Sequence, residues 1–254
     1  MTVTLPEPTE LADQNARQAG GRGLLQTSLT PPAGWQRGLS VPFYGCGEPI
    51  LRDKCIAGED EAHRPSIVDF YSFPIEQGAT CSTLSGLDHE AHARARLDAT
   101  AEWALGRQLA VDQVGTGSPS FADAVTLGTA EDFVQAVGCL EQLAADTGFG
   151  ARWTLHTSVK GAAYLRSASM MNNDGFSPAG ARWIISPGYP AETDTVRLWV
   201  TGQVWAAVDA AEVHSAVDRR TNDDSAYALS AGIVAFDPCI LGAIDVAVTA
   251  CPGG

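Results

Sequence analysis

Apolar residues recur with a helical period in two long stretches of the chain. In the first, Leu97, Ala101, Leu105 and Leu109 return every four residues, with Ala93 and Ala104 beside them, and no proline interrupts 87–113. Spacing of this kind gathers side chains on one face, so it predicts a long helix over 87–113 that ends near Gly115. Ser85 stands three residues before Asp88, the spacing of a capping box, and marks its start. In the second stretch, Phe133, Ala136, Val137, Leu140 and Ala144 form the stripe. They predict a helix from Thr129, with Asp132 three residues on, to the stop signal Gly148. A short helix is predicted over 159–168.

Shorter apolar runs bounded by Gly, Pro or polar residues predict strands at 153–156, 183–185, 197–201, 204–208, 227–236 and 240–248. Residues 169–180 read as a polar loop. The stretch Asp218-Arg219-Arg220-Thr221-Asn222-Asp223-Asp224 alternates in sign and reads as an exposed loop. Ahead of the long helix the pattern thins. Residues 1–40 hold few bulky apolar side chains, and Thr30-Pro31-Pro32-Ala33-Gly34 is a rigid extended step followed by a turn. This segment reads as an arm that is ordered by contact with something else. In 41–85, short apolar runs (Val41 to Tyr44, Ile50-Leu51, Ile67 to Tyr71) surround the charged tip Gly58-Glu59-Asp60-Glu61. That pattern predicts short strands around a long loop. Segments of such length with little core of their own usually have a partner or a function. No internal repeat and no interdomain linker is evident.

Composition narrows the class. The chain has 254 residues, 45% apolar and 18% charged, enough for a sizeable core and inconsistent with full disorder. No apolar run approaches the roughly 18 residues of a membrane span, and no basic segment precedes an apolar one at the start, so neither a membrane partner nor a secretory signal is expected. The net charge of −14 argues against a sequence-specific nucleic-acid reader. Lys54 and Lys160 are the only lysines; the other basic residues are arginines. Six cysteines, at 46, 55, 81, 139, 239 and 251, allow 15 pairings. Reduced, partly buried thiols are the simplest reading, with a local Cys46–Cys55 disulfide as the alternative.

Candidate chemistry is sparse. In Asp88-His89-Glu90-Ala91-His92 the two histidines are three apart, but a zinc protease needs His-Glu-x-x-His. The cluster reads as a solvated first turn whose acids complement the helix dipole. Cys46, Cys55, His63 and Cys81 lack the close pair of a zinc knuckle. No Gly-x-Ser-x-Gly elbow occurs, and Gly115-Thr116-Gly117-Ser118 lacks the lysine of a phosphate loop, which leaves it as a turn. His156 and His214, in or beside strands, read as packing or surface residues. No nucleophile, base and orienting group stand together. No catalytic, cofactor-binding or metal residue is therefore assigned, no cofactor is expected, and the chain does not read as an enzyme.

The order of elements resembles the Hong Kong 97-type capsid fold of tailed-phage major capsid proteins and encapsulin shells. Asp132-Phe133-Val134-Gln135-Ala136-Val137-Gly138-Cys139-Leu140-Glu141, then Thr147-Gly148-Phe149-Gly150, then Trp153-Thr154-Leu155-His156-Thr157-Ser158 resemble that family's axial-domain helix, glycine-aromatic turn and following strand. Trp183-Ile184-Ile185-Ser186-Pro187-Gly188-Tyr189-Pro190 resembles the next strand and turn. Residues 226–238 resemble the long peripheral strand, and Cys239-Ile240-Leu241-Gly242-Ala243-Ile244 the closing strand. Capsids of actinobacterial phages are nearest in character. The match covers about 85–250 in order, and 1–84 by character.

The resemblance implies an α+β fold with an N-terminal arm (1–40), an extended loop region (41–85), a peripheral domain with a spine helix (86–128 and 205–238) and an axial domain (129–204 and 239–254). It implies a major capsid protein that self-assembles as pentamers and hexamers into the icosahedral head of a double-stranded DNA phage. Such a protein resides in the virion and is assembled in the host cytoplasm. Its partners would be further copies of itself, then portal, scaffolding or decoration proteins, with non-specific contact to packaged DNA. An encapsulin-type shell is the alternative; a metal-dependent enzyme and a tail or adaptor protein are more distant ones. No long charged helical segment precedes the arm, so a fused scaffolding region is not expected. Leu24, Leu25, Trp35, Phe43, Tyr44 and Ile50 would be buried mainly against neighbouring subunits, and deletion of 1–40 would spare the fold of 85–250. Arg94, Arg96 and Arg107, with Arg17 and Arg22, would face DNA or, equally naturally, form salt bridges between subunits. Some members join a loop lysine to an asparagine beside a glutamate. Lys54 is the one loop lysine, and Asn222 lies near the returning strand. Matching Val234-Ala235-Phe236 to the family's strand end, however, puts the asparagine position on Asp224 and the glutamate position on Ala231, so no crosslink is expected.

Overall fold

The computed structural model describes residues 9–10, 23–43, 66–82, 88–148, 152–218 and 223–248. Along them run β1 (Thr9–Glu10), α1 (Leu24–Thr27), a 3-10 turn (Trp35–Arg37), β2 (Leu39–Phe43), β3 (Ser66–Phe70), β4 (Phe73–Ser82) and α2 (His89–Val111). A second 3-10 turn (Phe121–Asp123) leads to β5 (Val125–Ala130), α3 (Phe133–Gly148), β6 (Thr154–Ser158), α4 (Val159–Ser167) and β7 (Arg182–Ser186). The chain then continues through β8 (Thr195–Thr201), β9 (Val204–Val208), β10 (Glu212–Asp218), β11 (Asp223–Phe236) and β12 (Leu241–Ala247).

The four-residue repeat forms α2 as expected: Ala93, Leu97, Ala101, Leu105 and Leu109 are all buried. Its cap differs from the expected one. Asp88 is itself the N-cap, its Oδ1 accepting the Ala91 N–H at 2.9 Å, so the box starting at Ser85 is not the helix start. The C-terminus falls at Asp112, in the left-handed region (φ 46°). The Asp112 carboxylate accepts the backbone N–H groups of Thr116 and Gly117, each at 2.9 Å. The chain can wrap this carboxylate because Gly115 and Gly117 take positive φ. Burial pushes the Asp112 carboxyl up, but the bonds from Gly117, Thr116 and Gln108 outweigh it and hold the group below its ordinary value.

The described residues form three sheets: a small one in the order β1-β2-β3, with β2 and β3 antiparallel, and two larger ones that carry the cores. In the first of the larger two, β10, β11 and β4 pair antiparallel in that order, and β9 continues along β11 beyond β10. Helix α2 covers this sheet. In the second, the order is β5-β12-β8-β6-β7. The two-residue period of a strand sends alternate side chains to opposite faces, and here the faces serve different cores. Trp199, Ile184 and Ala243 join the core under α2, which also holds Leu105, Phe70 and Phe236. Leu198, Val200, Trp183 and Ile244 join a second core closed by α3 and α4 through Leu140, Ala144 and Leu165. Each large side chain so buried contributes roughly 1.5–3 kcal/mol.

Several expectations are corrected. Thr129 lies in β5, and the second helix begins at Phe133 with Asp132 capping it: Asp132 Oδ1 accepts the Gln135 N–H at 2.8 Å. Strand β4 reaches Phe73–Ser82 and pairs with β11 from Pro74↔Ala231 to Ser82↔Asp223, so the segment after Tyr71 is part of the first sheet rather than loop. Strand β10 was not expected as an element, and Asp218 and Asp223 are already paired within it and β11. The segment 23–43 also packs on its own chain. Leu24 is 0% and Trp35 8% exposed in the single subunit, and Leu29 bridges Trp205 in parallel. Their burial needs no neighbour, and a deletion of 1–40 would open the core under α2. Leu25 stays exposed; the side chain of Phe43, with Tyr44 and Ile50, lies outside the described residues. Cys139 is a free, exposed thiol, whereas Cys239 is disulfide-bonded, which corrects the reading of uniformly reduced thiols.

Candidate functional site

Where the two cores meet, the second sheet buries a polar chain. His156, on β6, is 0% exposed. Its Nε2 lies 2.8 Å from Thr201 Oγ1 and its Nδ1 2.9 Å from the Tyr189 hydroxyl. Thr201 donates its one hydrogen to Gly202 O at 2.9 Å, so its oxygen accepts from His156 Nε2–H. Nδ1 is then the acceptor for Tyr189 O–H, a tautomer fixed by the network. Burial pulls the imidazole down from 6.5 to about 3, so the ring is neutral. Burial, then the charge of Glu102, pushes the Tyr189 hydroxyl well above its ordinary value. Aromatic rings close the site. Phe121 stacks on Trp199 with centroids 5.0 Å apart and meets His156 edge-on, also at 5.0 Å. Phe121 is delivered by a 3-10 turn with its own capping box, Ser120 to Asp123. Tyr189 follows Gly188, which touches the α2 backbone at Trp103 and Arg107.

This constellation is a neutral imidazole held between two hydroxyls and enclosed by buried aromatic rings. Its chemistry is that of a fully satisfied buried network, which specifies one packing of the two cores.

The other sequence candidates do not converge. His89 is buried at the start of α2 while His92 is exposed, so the two do not share one solvated turn; exposed Glu90 accepts from Ser215 of β10. Cys46, Cys55 and His63 lie outside the described residues, as does the Cys81 side chain. Among the described residues no group of three or more His, Cys, Asp or Glu could hold a metal, and no helix is long and apolar enough to cross a membrane. Gly115 to Ser118 is the turn around Asp112. His214 is exposed, 4.0 Å from Glu212. Arg96 donates to Gly78 O and Arg107 to Gln113 Oε1; Arg94 is exposed, and Arg17 and Arg22 are not among the described residues.

The surface carries more apolar side chains than the site does polar ones. Ile67, Val125, Val134, Val159 and Val217 are each more than half exposed. Trp103 and Val114, both about half exposed, line an open cleft of about 190 Å³ between α2 and β4. Sequence reasoning marked none of these, because an exposed valine has the same pattern as a buried one until its strand's facing is known.

No protein-family model matches the chain, and no curated protein is similar to it. Solved structures are. One from Gordonia phage Cozz is 13% identical over 94% of this chain and 92% of its own, with a TM-score of 0.60. One from Mycobacterium phage Bobi is 12% identical over 96% of each chain, TM-score 0.60. The capsid of an empty GTA particle, computed with C5 symmetry, is 14% identical over 96% of this chain and 95% of its own, TM-score 0.58. The chain shares their mixed helix-and-sheet fold over nearly its whole length, in line with the α+β class expected from the order of elements.

Proposed function

We propose that the chain is the major capsid protein of a tailed phage, building the head shell from copies of itself. The observation that carries this reading is the end-to-end likeness to phage and capsid structures, with more than nine-tenths of both chains covered. It favours a phage head over the encapsulin alternative and a structural role over an enzymatic one. The exposed apolar side chains on β3, β5, α3, α4 and β10 fit a surface completed by neighbours. The second core, whose residues all fall within 129–204 and 239–254, supports an axial unit of those ranges around the ring axes, beside a peripheral unit of α2 and the first sheet. Strand β4 then belongs to the peripheral unit, and the loop is confined to the hairpin of β2 and β3. Portal, scaffolding and decoration partners, residence in the virion and assembly in host cytoplasm follow from this reading, as does non-specific, salt-sensitive DNA contact through arginines such as Arg94.

Electron microscopy of the purified, expressed chain tests it. Closed shells with five- and six-membered rings are expected; a protein that stays monomeric at high concentration overturns the reading. Terminase and portal genes beside the coding sequence would separate a phage head from a cargo compartment.

A further inference from the structure

Strand β11 faces its side chains against the usual order. In an antiparallel sheet packed on one side, large apolar residues point to the core and polar ones to water. Over 225–231 the reverse holds. Ala226 and Ala228 are 0% exposed and lie in the core under α2, while Tyr227 and Leu229, 46% and 39% exposed, stand on the face away from α2. The alternation puts Pro74, Glu76 and Thr80 of β4 and Glu212, His214 and Ala216 of β10 on that same face, all exposed. Gly78 makes room for Tyr227: a Cβ there would come within 3.2 Å of the ring. Near Leu229 the face opens into a pocket of about 320 Å³, lined among others by Phe73, Pro74, Asp209 and Glu212.

The face is acidic as well as apolar. Leu229 has Glu212 on one side and Glu76 on the other, and Tyr227 has His214 and Gly78. Neighbouring strands stand about 4.8 Å apart, so the two glutamates rise about 10 Å from each other across Leu229. Strands β4, β10 and β11 carry no lysine or arginine. Among the described residues Glu76 has no salt bridge, and Glu212 has only His214, at 4.0 Å. The Asp209 carboxylate accepts from Gln36 Nε2 at 3.1 Å and from the Ala210 N–H at 2.8 Å. Arg96 and Arg107 of α2 are engaged by Gly78 O at 2.8 Å and by Gln113 Oε1 at 3.2 Å. A second copy of a chain with net charge −14 would bring further acids to this face; a basic partner meets it with the opposite sign.

We propose that this outer face of the β10-β11-β4 sheet is a docking surface for an arginine-bearing polypeptide segment of another protein. An arginine side chain joins an apolar stem to a charged fork. Its stem covers Leu229 while the fork reaches Glu76 or Glu212, and a second guanidinium stacks on the side of the Tyr227 ring turned away from Gly78. The pocket takes a further side chain, its stem against Phe73 and Pro74 and its charge beside Asp209 and Glu212. The surface belongs to the single subunit, so the proposal does not rest on shell assembly.

Fluorescence anisotropy of a labelled hexa-arginine peptide with the full chain tests it, at about 0.15 M salt, where charges more than about 8 Å away are screened. Saturable binding is expected. The double variant Glu76→Gln/Glu212→Gln should weaken it about fivefold, and Leu229→Thr, which removes no charge and keeps a strand former, about threefold. The control Glu131→Gln/Asp146→Asn removes as much charge from exposed positions in and beside α3 and should leave Kd within about twofold. Absence of binding overturns the proposal. So does an equal loss in the two double variants, or wild-type affinity in a folded Leu229→Thr chain. If Leu229→Thr instead changes the oligomeric state of the chain alone, a second copy covers the face and the proposal fails.

Discussion

His156 shows how one residue sets a pH response. Its ordinary value near 6.5 falls to about 3 in the folded chain, so between these limits the unfolded chain holds the extra proton. Stability is fully present above 6.5 and is lost progressively as pH falls toward 3. By pH 5 the loss should be about 2 kcal/mol, from roughly 1.4 kcal/mol per unit. Denaturant titrations at pH 7 and pH 5 should show it, and His156→Gln should flatten most of the difference while lowering stability at pH 7, because Tyr189 and Thr201 lose matched partners. A variant with the wild-type slope would show that other groups carry it. The histidine itself was readable as a packing residue from the run Trp153-Thr154-Leu155-His156. Its partners were not, because Tyr189, Thr201 and Phe121 reach it only through the pairing of β6 with β8 and the turn after β7.

Helix α2 and the turn after β7 meet backbone to backbone, and glycine is what permits it. A Cβ on Gly188 would collide with Trp103 O and lie 2.6 Å from Arg107 N; one on Gly106 would collide with Ser186 Oγ. Gly188→Ala should therefore cost about 3 kcal/mol, at the upper end of overpacking, because the atoms met belong to a helix that cannot yield. Thermal unfolding against wild type measures it; a loss within about 0.5 kcal/mol, the range of a neutral surface change, would mean that the turn can shift. Elements with a long buried stripe, α2 and α3, were legible, as were strands rich in β-branched or aromatic residues such as β8 and β11. Strands β5 and β10 were hidden. Val125-Thr126-Leu127-Gly128-Thr129 is exposed along its whole length, so no alternation betrays it, and Asp132 three residues after Thr129 imitated a helix start. Strand β10, Glu212 to Asp218, is similarly exposed over most of 212–217 and has an acid at each end. Strand β4 was masked by Pro74 and Gly78, tolerable on a strand at the sheet's end.

At the scale of the molecule, the returning strand also bears on covalent locking. Asp224 pairs with Val217 and Cys81, and Ala231 with Pro74. A carboxylate at the first position is a poor acceptor for a lysine amine, and alanine at the second cannot take its proton. Reduced, boiled assemblies should run as one band near 26.6 kDa; a ladder that resists reductant would contradict this. The same strand has a consequence for how the chain is made. Strands β4 and β11 are neighbours in the sheet but lie about 150 residues apart in sequence, a separation that makes closure slow. On the ribosome, α2 emerges behind β4 but waits for β11 to complete the sheet it covers, and the second sheet waits for β12 to fill the place between β5 and β8. Neither half is complete before the last strands emerge. A nascent chain thus has no finished surface to offer a neighbour, and any assembly of copies draws only on subunits already released from translation.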